Sequence, residues 1–476
     1  MMGKEKKGYR YLAKNIGLLT IGQFGSKLLT FFLVPLYTNV LLVTEYGTYD
    51  VFNMTIALLV PILTLNILEA VVRFTIDSET DNSVIFTYSL RLLVSGFILL
   101  CSFVIINYFF GWIPLLKQYS LYFILSYLMS AVSGIMVAFA RGIDCVKAVS
   151  VSGIISTLVL VLLNLLFLLV FKWNLDGYFL ANILGVGSQC VYLVIATKAW
   201  RYIRFYKSTP ENRSIQRKLT DYSIPMIANS IGWWVNNASD RYIVIWFCGV
   251  AANGIYSVGY KIPNILSLFQ LIFNQAWILS AVRDFDSEDK NGFFSKLYVT
   301  YEFLIVTLCS LLIMFDRILA SFLYAKDFYE AWKYVPFILI SVVFGAMSGF
   351  IGGIFSAAKN SKIYAQSTVI GALCNLVLNI VLVYVFGPIG AAIATALSYW
   401  IVFVIRTIHM RKIIRIRLRI GRDYTSYLVL IVQSLMMLCI EQSVLLYALQ
   451  SVCVILIVFL YMPEVIGMLR KVKIHK

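Results

Sequence analysis

Charge is what this sequence has least of. Only 13% of its 476 residues are Asp, Glu, Lys or Arg, where a soluble chain needs about a quarter to cover its surface. With 61% apolar residues and a mean hydropathy of +0.85, a water-soluble architecture is excluded. Histidine is nearly missing too. His409 and His475 lie in basic stretches, so there is no HExxH and no histidine metal set. No cysteines have CxxC spacing. Cys101, Cys145, Cys190, Cys248, Cys309, Cys374, Cys439 and Cys453 are scattered singly, mostly in apolar runs, and read as small buried residues. A GxxxxGK[ST] loop is absent, which excludes a nucleotide-driven pump. No filter segment suggests a channel. The longest loop expected on the far side, about 316–333, is short for a membrane glycosyltransferase or polymerase. The chain is therefore expected not to be an enzyme, and secondary transport remains.

Crossing the hydrocarbon takes about 20 mostly apolar residues. Runs of that kind predict fourteen helices, at 11–38, 47–74, 86–110, 116–140, 148–171, 177–199, 220–248, 251–282, 294–315, 333–358, 362–386, 389–408, 424–441 and 444–463. The expected fold class is all-α, a polytopic membrane protein with about 14 transmembrane helices. Lys4, Lys6, Lys7, Arg10 and Lys14 precede a first run too long for a signal peptide, which reads as a retained helix. Forty Lys and Arg against twenty-three Asp and Glu give a net charge of +17. These cations lie between apolar runs, so they imply anionic membrane lipids as a partner and no nucleic acid.

With both termini cytoplasmic, loops on that side carry thirty-two of the forty cations. The opposite loops carry five, Lys117, Lys172, Arg317, Lys326 and Lys333, a strong positive-inside bias. Segments 198–218 and 406–422 hold seven cations each and divide the chain into six, six and two helices. The expected domains are an N-terminal lobe at 1–205, a C-terminal lobe at 206–412, and two accessory helices with a basic tail at 413–476. Both basic segments read as topology anchors, with lipid-headgroup binding as the alternative.

An internal repeat supports the two-lobe plan. Glu45-Tyr46-Gly47-Thr48-Tyr49 matches Ala252-Asn253-Gly254-Ile255-Tyr256 at an offset of 207. Ala70-Val71-Val72-Arg73-Phe74 resembles Ser280-Ala281-Val282-Arg283-Asp284-Phe285, and Gly177-Tyr178-Phe179-Leu180-Ala181-Asn182 resembles Gly390-Ala391-Ala392-Ile393-Ala394-Thr395, at offsets of 210 and 213. Six is even, so both copies enter from the same side and predict a pseudo-two-fold along the membrane normal with a cavity between lobes.

Ionisable groups at membrane depth normally face a cavity or a partner. Gln23 and Lys27 share a stripe on helix one with Thr30, and Asn66, Glu69 and Arg73 share one on helix two, which also carries Asp50. Helix seven carries Asn237, Asp240 and Arg241, and helix eight Lys261 and Asn264, with Arg283 just beyond. Asp240-Arg241 and Glu69-Arg73 could be internal ion pairs holding helices together. Lys27 and Lys261 have no acid three or four positions away. Gln23, Lys27, Arg73, Asn237, Arg241, Lys261, Asn264 and Arg283 are thus the expected substrate-binding residues. Asp50, Glu69, Asp240 and Glu302 are the expected ion-coupling acids, Asp50 and Glu302 standing as lone acids. Gly345, Gly349 and Gly353 read as a packing zipper, and Asn164, Asn182, Gln189, Asn375 and Asn379 as interhelical hydrogen bonds.

Lys14-Asn15, the Gly-rich first helix with Lys27, the segments 45–49 and 70–74, and the six-six-two plan together resemble the bacterial polysaccharide-unit flippases. These belong to the multidrug/oligosaccharidyl-lipid/polysaccharide exporter superfamily. The resemblance implies alternating access through a cation-lined cavity, inner-membrane location, and an undecaprenyl-diphosphate-linked oligosaccharide bound for O-antigen or other surface polysaccharide of the lipopolysaccharide type. It also implies a polysaccharide polymerase and chain-length machinery as partners. Related lipid II flippases carry cations on helices one, two and eight, the helices of Lys27, Arg73 and Lys261. No cofactor is expected beyond a coupling H+ or Na+. A cation-coupled multidrug or small-molecule exporter and a non-transporting envelope scaffold are the alternatives.

The cation asymmetry makes a topological prediction. Reporter fusions after residues 210 and 476 should both score as cytoplasmic, and a periplasmic signal at either overturns the assignment.

Overall fold

The computed structural model describes residues 25–76, 81–204, 209–283, 285–358 and 360–474, without the side chains of 279, 361 and 464–474. The N-terminal basic stretch, Lys14-Asn15 and Gln23 lie outside the described residues. Those described are helical, with no strand among them. Helices α1 (25–32), α2 (Val34–Val40), α3 (Val43–Leu63), α4 (Ile67–Thr75), α5 (Asn82–Phe110), α6 (Pro114–Gln118), α7 (Ser120–Gly142), α8 (Val146–Asn164) and α9 (Asn174–Thr197) come first. They are followed by α10 (Pro210–Gly259), α11 (Pro263–Arg283), α12 (Phe293–Met314), α13 (Asp316–Leu323), α14 (Val335–Ala357), α15 (Ser361–Phe386), α16 (Pro388–Met410), α17 (Ile420–Cys439) and α18 (Ser443–Ile474).

Among the described residues twelve helices are long and apolar enough to cross a membrane. The fifty-residue α10 counts once there, yet it reverses at Gly249, whose φ of +87° suits only glycine. It thereby holds helix seven and the start of helix eight of the sequence reading. Helix thirteen is α17, which carries Arg422 and Asp423 in its first turn. The chain is thus a multi-pass membrane protein with about the expected number of crossings.

Two expected helices are interrupted. The run 47–74 breaks at Thr64–Asn66, where Leu65 and Asn66 adopt left-handed conformations and the Asn66 N–H reaches back to the Pro61 carbonyl at 2.7 Å. The run 251–282 breaks at Tyr260–Ile262, because Pro263 disfavours helical geometry at the residue before it. Pro263, Pro35 and Pro336 start helices, while Pro61 and Pro225 lie inside them.

The chain divides into two compact units, Met1–Ala238 and Ser239–Lys476. The first half of α10 packs with the first unit. Trp234 Nε1 donates to the Met54 carbonyl at 2.7 Å, Asn66 Nδ2 donates to Ser230 Oγ at 3.1 Å, and the Tyr88 and Thr220 hydroxyls meet at 2.9 Å. In the second unit α14 is the central helix, buried almost all round.

Both units repeat the same packing. In the first, α4 packs on α7, and α7 and α8 pack on α9; in the second, α11 packs on α14, and α14 and α15 pack on α16. Tyr49 lies against Tyr178, ring centroids 4.1 Å apart, and the matching Tyr256 shares a buried cluster with Ala391. The matched glycines also share a role. A Cβ on Gly177 would stand 2.9 Å from Phe167 Cβ, and one on Gly390 would stand 2.0 Å from the Leu382 carbonyl oxygen.

The glycine zipper is close packing, as expected. Gly349 and Gly353 admit Asn274 and Trp277 of α11, whose indole N–H donates to the Phe350 carbonyl at 2.8 Å. The amides correct the reading in part. Gln189 does join helices, with Ser133 Oγ donating to its Oε1 at 3.0 Å and its Nε2 donating to Ser152 Oγ at 3.2 Å. Asn375 donates to Thr395 Oγ1 at 3.5 Å. Asn164, Asn182 and Asn379 instead donate to carbonyls one turn back in their own helices, the bond nearest a short amide side chain.

Gly390→Ala should lower stability by about 1–3 kcal/mol, because the obstructing atom is backbone and cannot rotate away. Gly153→Ala, with nothing within 4 Å of the new carbon, is the matched control and should be neutral or mildly stabilising. Thermal unfolding of the two variants in one detergent checks this; equal midpoints would contradict it.

Candidate functional site

Reversal at Gly249 builds the first polar site. Asp240 and Tyr256 are sixteen positions apart, about 24 Å along a straight helix. The fold instead brings them into contact. Tyr256 and Tyr260 both donate their hydroxyls to Asp240 Oδ2, at 2.8 and 2.7 Å, while the Arg241 N–H donates to Oδ1 at 2.9 Å. Arg241 Nη1 stands 4.0 Å from Oδ1, and its guanidinium lies 4.7 Å from the Tyr260 ring centre. Asp240 is 4% exposed and Arg241 8%. An enclosed carboxylate persists when its charge and hydrogen bonds are both answered, as they are at Asp240.

Lys261 occupies the next turn, half-buried, its N–H bonded to the Val258 carbonyl at 2.9 Å. Asn264 is exposed in the first turn of α11, and Arg283 is exposed at the other end of that helix, about 30 Å away. The structure therefore gathers Asp240 and Arg241 into one site, with Lys261 on the adjoining turn, and leaves Arg283 apart.

In the first unit the ionic residues are more open. Lys27 is exposed on α1. On α4, Ile67, Ala70, Val71 and Thr75 are buried, whereas Glu69 and Arg73 share the exposed side. Among the described residues none of Lys27, Glu69 and Arg73 makes an ion pair. Asp50 is half-buried on α3, close enough to Tyr49 and Tyr178 to act on both electrostatically. Asn237 is exposed and donates to the Trp233 carbonyl at 2.7 Å. A cavity of about 160 Å³ inside this unit is bordered by Tyr49, Asn53, Ser126, Ser130 and Asn182.

Two buried cations were assigned by sequence to a surface segment. Arg406, 5% exposed, donates from Nε to Ser367 Oγ at 2.9 Å, from Nη1 to the Ser348 carbonyl at 2.8 Å and from Nη2 to Thr368 Oγ1 at 2.9 Å, and it lies over the Tyr364 ring. Its helix carried the signal: residues 391, 395, 398, 402 and 406 form one buried face at helical spacing. Arg422 supplies the partner that Glu302 lacks in its own helix. Its Nη2 lies 3.4 Å from Glu302 Oε2 and 2.6 Å from Asp423 Oδ1, and Tyr427 donates to Glu302 Oε1 at 2.5 Å. Glu302 is fully buried and is not a lone acid. Alongside it, Ser310 donates to Gln433 Oε1 at 2.7 Å and Gln433 to Gln450 Oε1 at 2.8 Å, so a buried polar line ties α12 to the C-terminal pair α17 and α18.

Arg422→Met should cost about 3–5 kcal/mol, because it leaves Glu302 enclosed without its cation. Glu302→Gln combined with Arg422→Met should cost less than the sum of the single changes by on the order of 1–3 kcal/mol. Unfolding of all four proteins in the same detergent reads the coupling, and strict additivity would remove the pair.

Comparison with known proteins places this geometry in context. The lipid II flippase MurJ, solved in an inward closed conformation, superposes with a TM-score of 0.70 over 96% of this chain and 99% of its own, at 15% identity. An inward-facing multidrug resistance MATE family transporter of the MOP superfamily superposes with a TM-score of 0.61 over 83% of this chain and 98% of its own, at 12% identity. At such identities the likeness shows the fold. By sequence, the chain is 25% identical over 256 residues to a probable low-salt glycan biosynthesis flippase, Agl15, of Haloferax volcanii, a match covering 52% of this chain. That match spans about half of the relative's length, 54%. The profile of polysaccharide biosynthesis proteins matches residues 12–278, more than half of the sequence. The chain belongs to the polysaccharide biosynthesis protein family and has the fold of the MOP-superfamily transporters.

Proposed function

We propose that this protein is a secondary transporter that flips undecaprenyl-diphosphate-linked oligosaccharide units from the cytoplasmic to the periplasmic leaflet of the cell inner membrane, without chemistry on the substrate. The observation that carries the reading is a pair of exposed cations, Lys27 and Arg73, that make no ion pair among the described residues of a chain whose family serves polysaccharide biosynthesis. A diphosphate moving through a low-dielectric region needs charge that is not already committed. Lysine offers one-point contacts weak enough for release, and arginine a fork that matches phosphate. Gln23, Asn237, Arg241, Lys261, Asn264 and Arg283 are the further proposed contacts with headgroup or sugars.

Alternating access is supported by the solved relatives of this fold, one inward closed and one inward-facing. Coupling to H+ or Na+ belongs to the same proposal, with Asp50, Glu69, Asp240 and Glu302 as the acids. Polymerase and chain-length machinery would receive the flipped unit. Both termini face the cytoplasm in this reading.

A deletion strain should lose surface polysaccharide and keep its tolerance of cationic drugs. Complementation with Lys27→Ala or Arg73→Ala should lower surface glycan about tenfold or more at normal protein level, the loss of one charge-assisted contact. Lys27→Arg should retain part of the activity, and Lys27→Glu none. Hypersensitivity to drugs with normal glycan would replace the flippase by the exporter alternative.

A further inference from the structure

The connection between α16 and α17, residues 411–419, is built as an ordered basic edge. It carries Arg411, Lys412, Arg415, Arg417 and Arg419 in nine residues. From 414 to 419 its exposure alternates. Ile414 is 2% exposed and Ile416 and Leu418 are partly shielded, whereas Arg415, Arg417 and Arg419 are exposed. That period of two is the signature of extended backbone.

The extended form is held from one side. Arg415 donates its backbone N–H to the Ser287 carbonyl at 2.9 Å, and Arg417, two residues on, donates to Ser295 Oγ at 3.0 Å. The receiving loop is itself braced. Asp289 accepts the N–H groups of Phe294 and Ser295, both at 3.0 Å, and the Ser295 hydroxyl at 2.5 Å. Asp286 accepts the N–H groups of Lys290 and Glu288, at 2.8 and 3.1 Å, and these donors hold its carboxyl below the usual range. Backbone donors and the Ser295 hydroxyl, rather than arginines, thus occupy Asp286 and Asp289.

An open groove of about 530 Å³ runs along this edge, bordered by Arg411, Arg415, Arg417, Ile414, Leu418 and one acid, Glu288. Glu288 is already paired with Lys290 at 3.2 Å. Arg411, Arg415 and Arg417 make no ion pair among the described residues. The location matters as much as the charge. Three apolar spans have their ends at this edge: α11 ends at Arg283, α12 starts at Phe293 and α16 ends at Met410. A segment joining such ends lies at headgroup level.

We infer that residues 411–419 form a binding edge for anionic phospholipid headgroups, in which Arg411, Arg415 and Arg417 grip phosphate groups and Ile414, Ile416 and Leu418 hold the segment against the protein. Alternate arginines on extended backbone stand about 6.6 Å apart, so neighbouring guanidinia can engage separate oxygens of one headgroup or two adjacent headgroups. An anchored array loses less freedom on binding than a flexible basic tail. The site is independent of the transported molecule and recruits the lipid around the α16–α17 connection.

The test uses the full chain in discs of mixed phosphatidylcholine and phosphatidylglycerol, with a trace of photoactivatable phosphatidylglycerol or, separately, of its phosphatidylcholine analogue. Crosslinks should concentrate on the peptide 411–419 with the anionic probe and not with the zwitterionic one. Arg415→Gln with Arg417→Gln should reduce that crosslink at least fivefold, the partition expected from one basic residue at an anionic surface. Arg415→Lys with Arg417→Lys should keep most of it, and Arg201→Gln with Arg204→Gln, on a separate exposed basic segment, should leave it unchanged. If the Gln variant does not fold, about 1 M salt on the wild type serves instead, since screening shortens to about 3 Å and should erase the preference. Equal crosslinking by both probes, an undiminished signal in the Gln variant or in high salt, or an equal fall in the control would each overturn the site.

Discussion

A charge enclosed among helices in hydrocarbon has to be answered by the protein itself, because neither water nor lipid tails can do it. The second unit is organised around three such answers. Asp240 binds Tyr256 and Tyr260 and so clasps the two arms of α10. Glu302 takes Arg422 and Tyr427 and fastens α12 to α17. Arg406 reaches Ser348, Ser367 and Thr368 and joins α14, α15 and α16. Apolar surface alone gives no preferred register between membrane helices, since lipid is as apolar as leucine. These polar clasps, with the close glycine contacts, supply it.

The first unit uses charge differently. Among its described residues neutral groups tie helices together, through Gln189, Ser133 and Ser152 and through Trp234 and the Met54 carbonyl. Its ionic groups Lys27, Glu69 and Arg73 stay on exposed surfaces. In the first unit the groups that tie helices together and these exposed ionic groups are thus separate sets of residues.

Much of this was legible before any coordinates. Apolar runs located the spans, and the glycine at 249 falls in the gap left between helices seven and eight. The matched segments around Tyr49 and Tyr256, and around Gly177 and Gly390, reappear as the same local contacts in each unit. Pro61 and Pro263 announced disturbed helices without saying where the chain would break. Arg406 was legible in principle from the helical spacing of its neighbours, but its place beside a basic segment made it look solvated. Arg422 and Glu302 left no trace, because residues 120 positions apart carry no local pattern. Asn164, Asn182 and Asn379 misled for a simpler reason: a carbonyl one turn back is always within reach, whereas a neighbouring helix is not.

Arg406 closes the last turn of α16 with partners that do not titrate in the physiological range: two hydroxyls and a peptide carbonyl. The carboxylate clasps at Asp240 and Glu302 differ in kind, since each answers an acid with tyrosine hydroxyls and an arginine. The α14–α15–α16 junction is consequently fastened from a single side chain. One guanidinium thereby ties three helices at once, so none of them can turn or slide without giving up a bond that holds the other two.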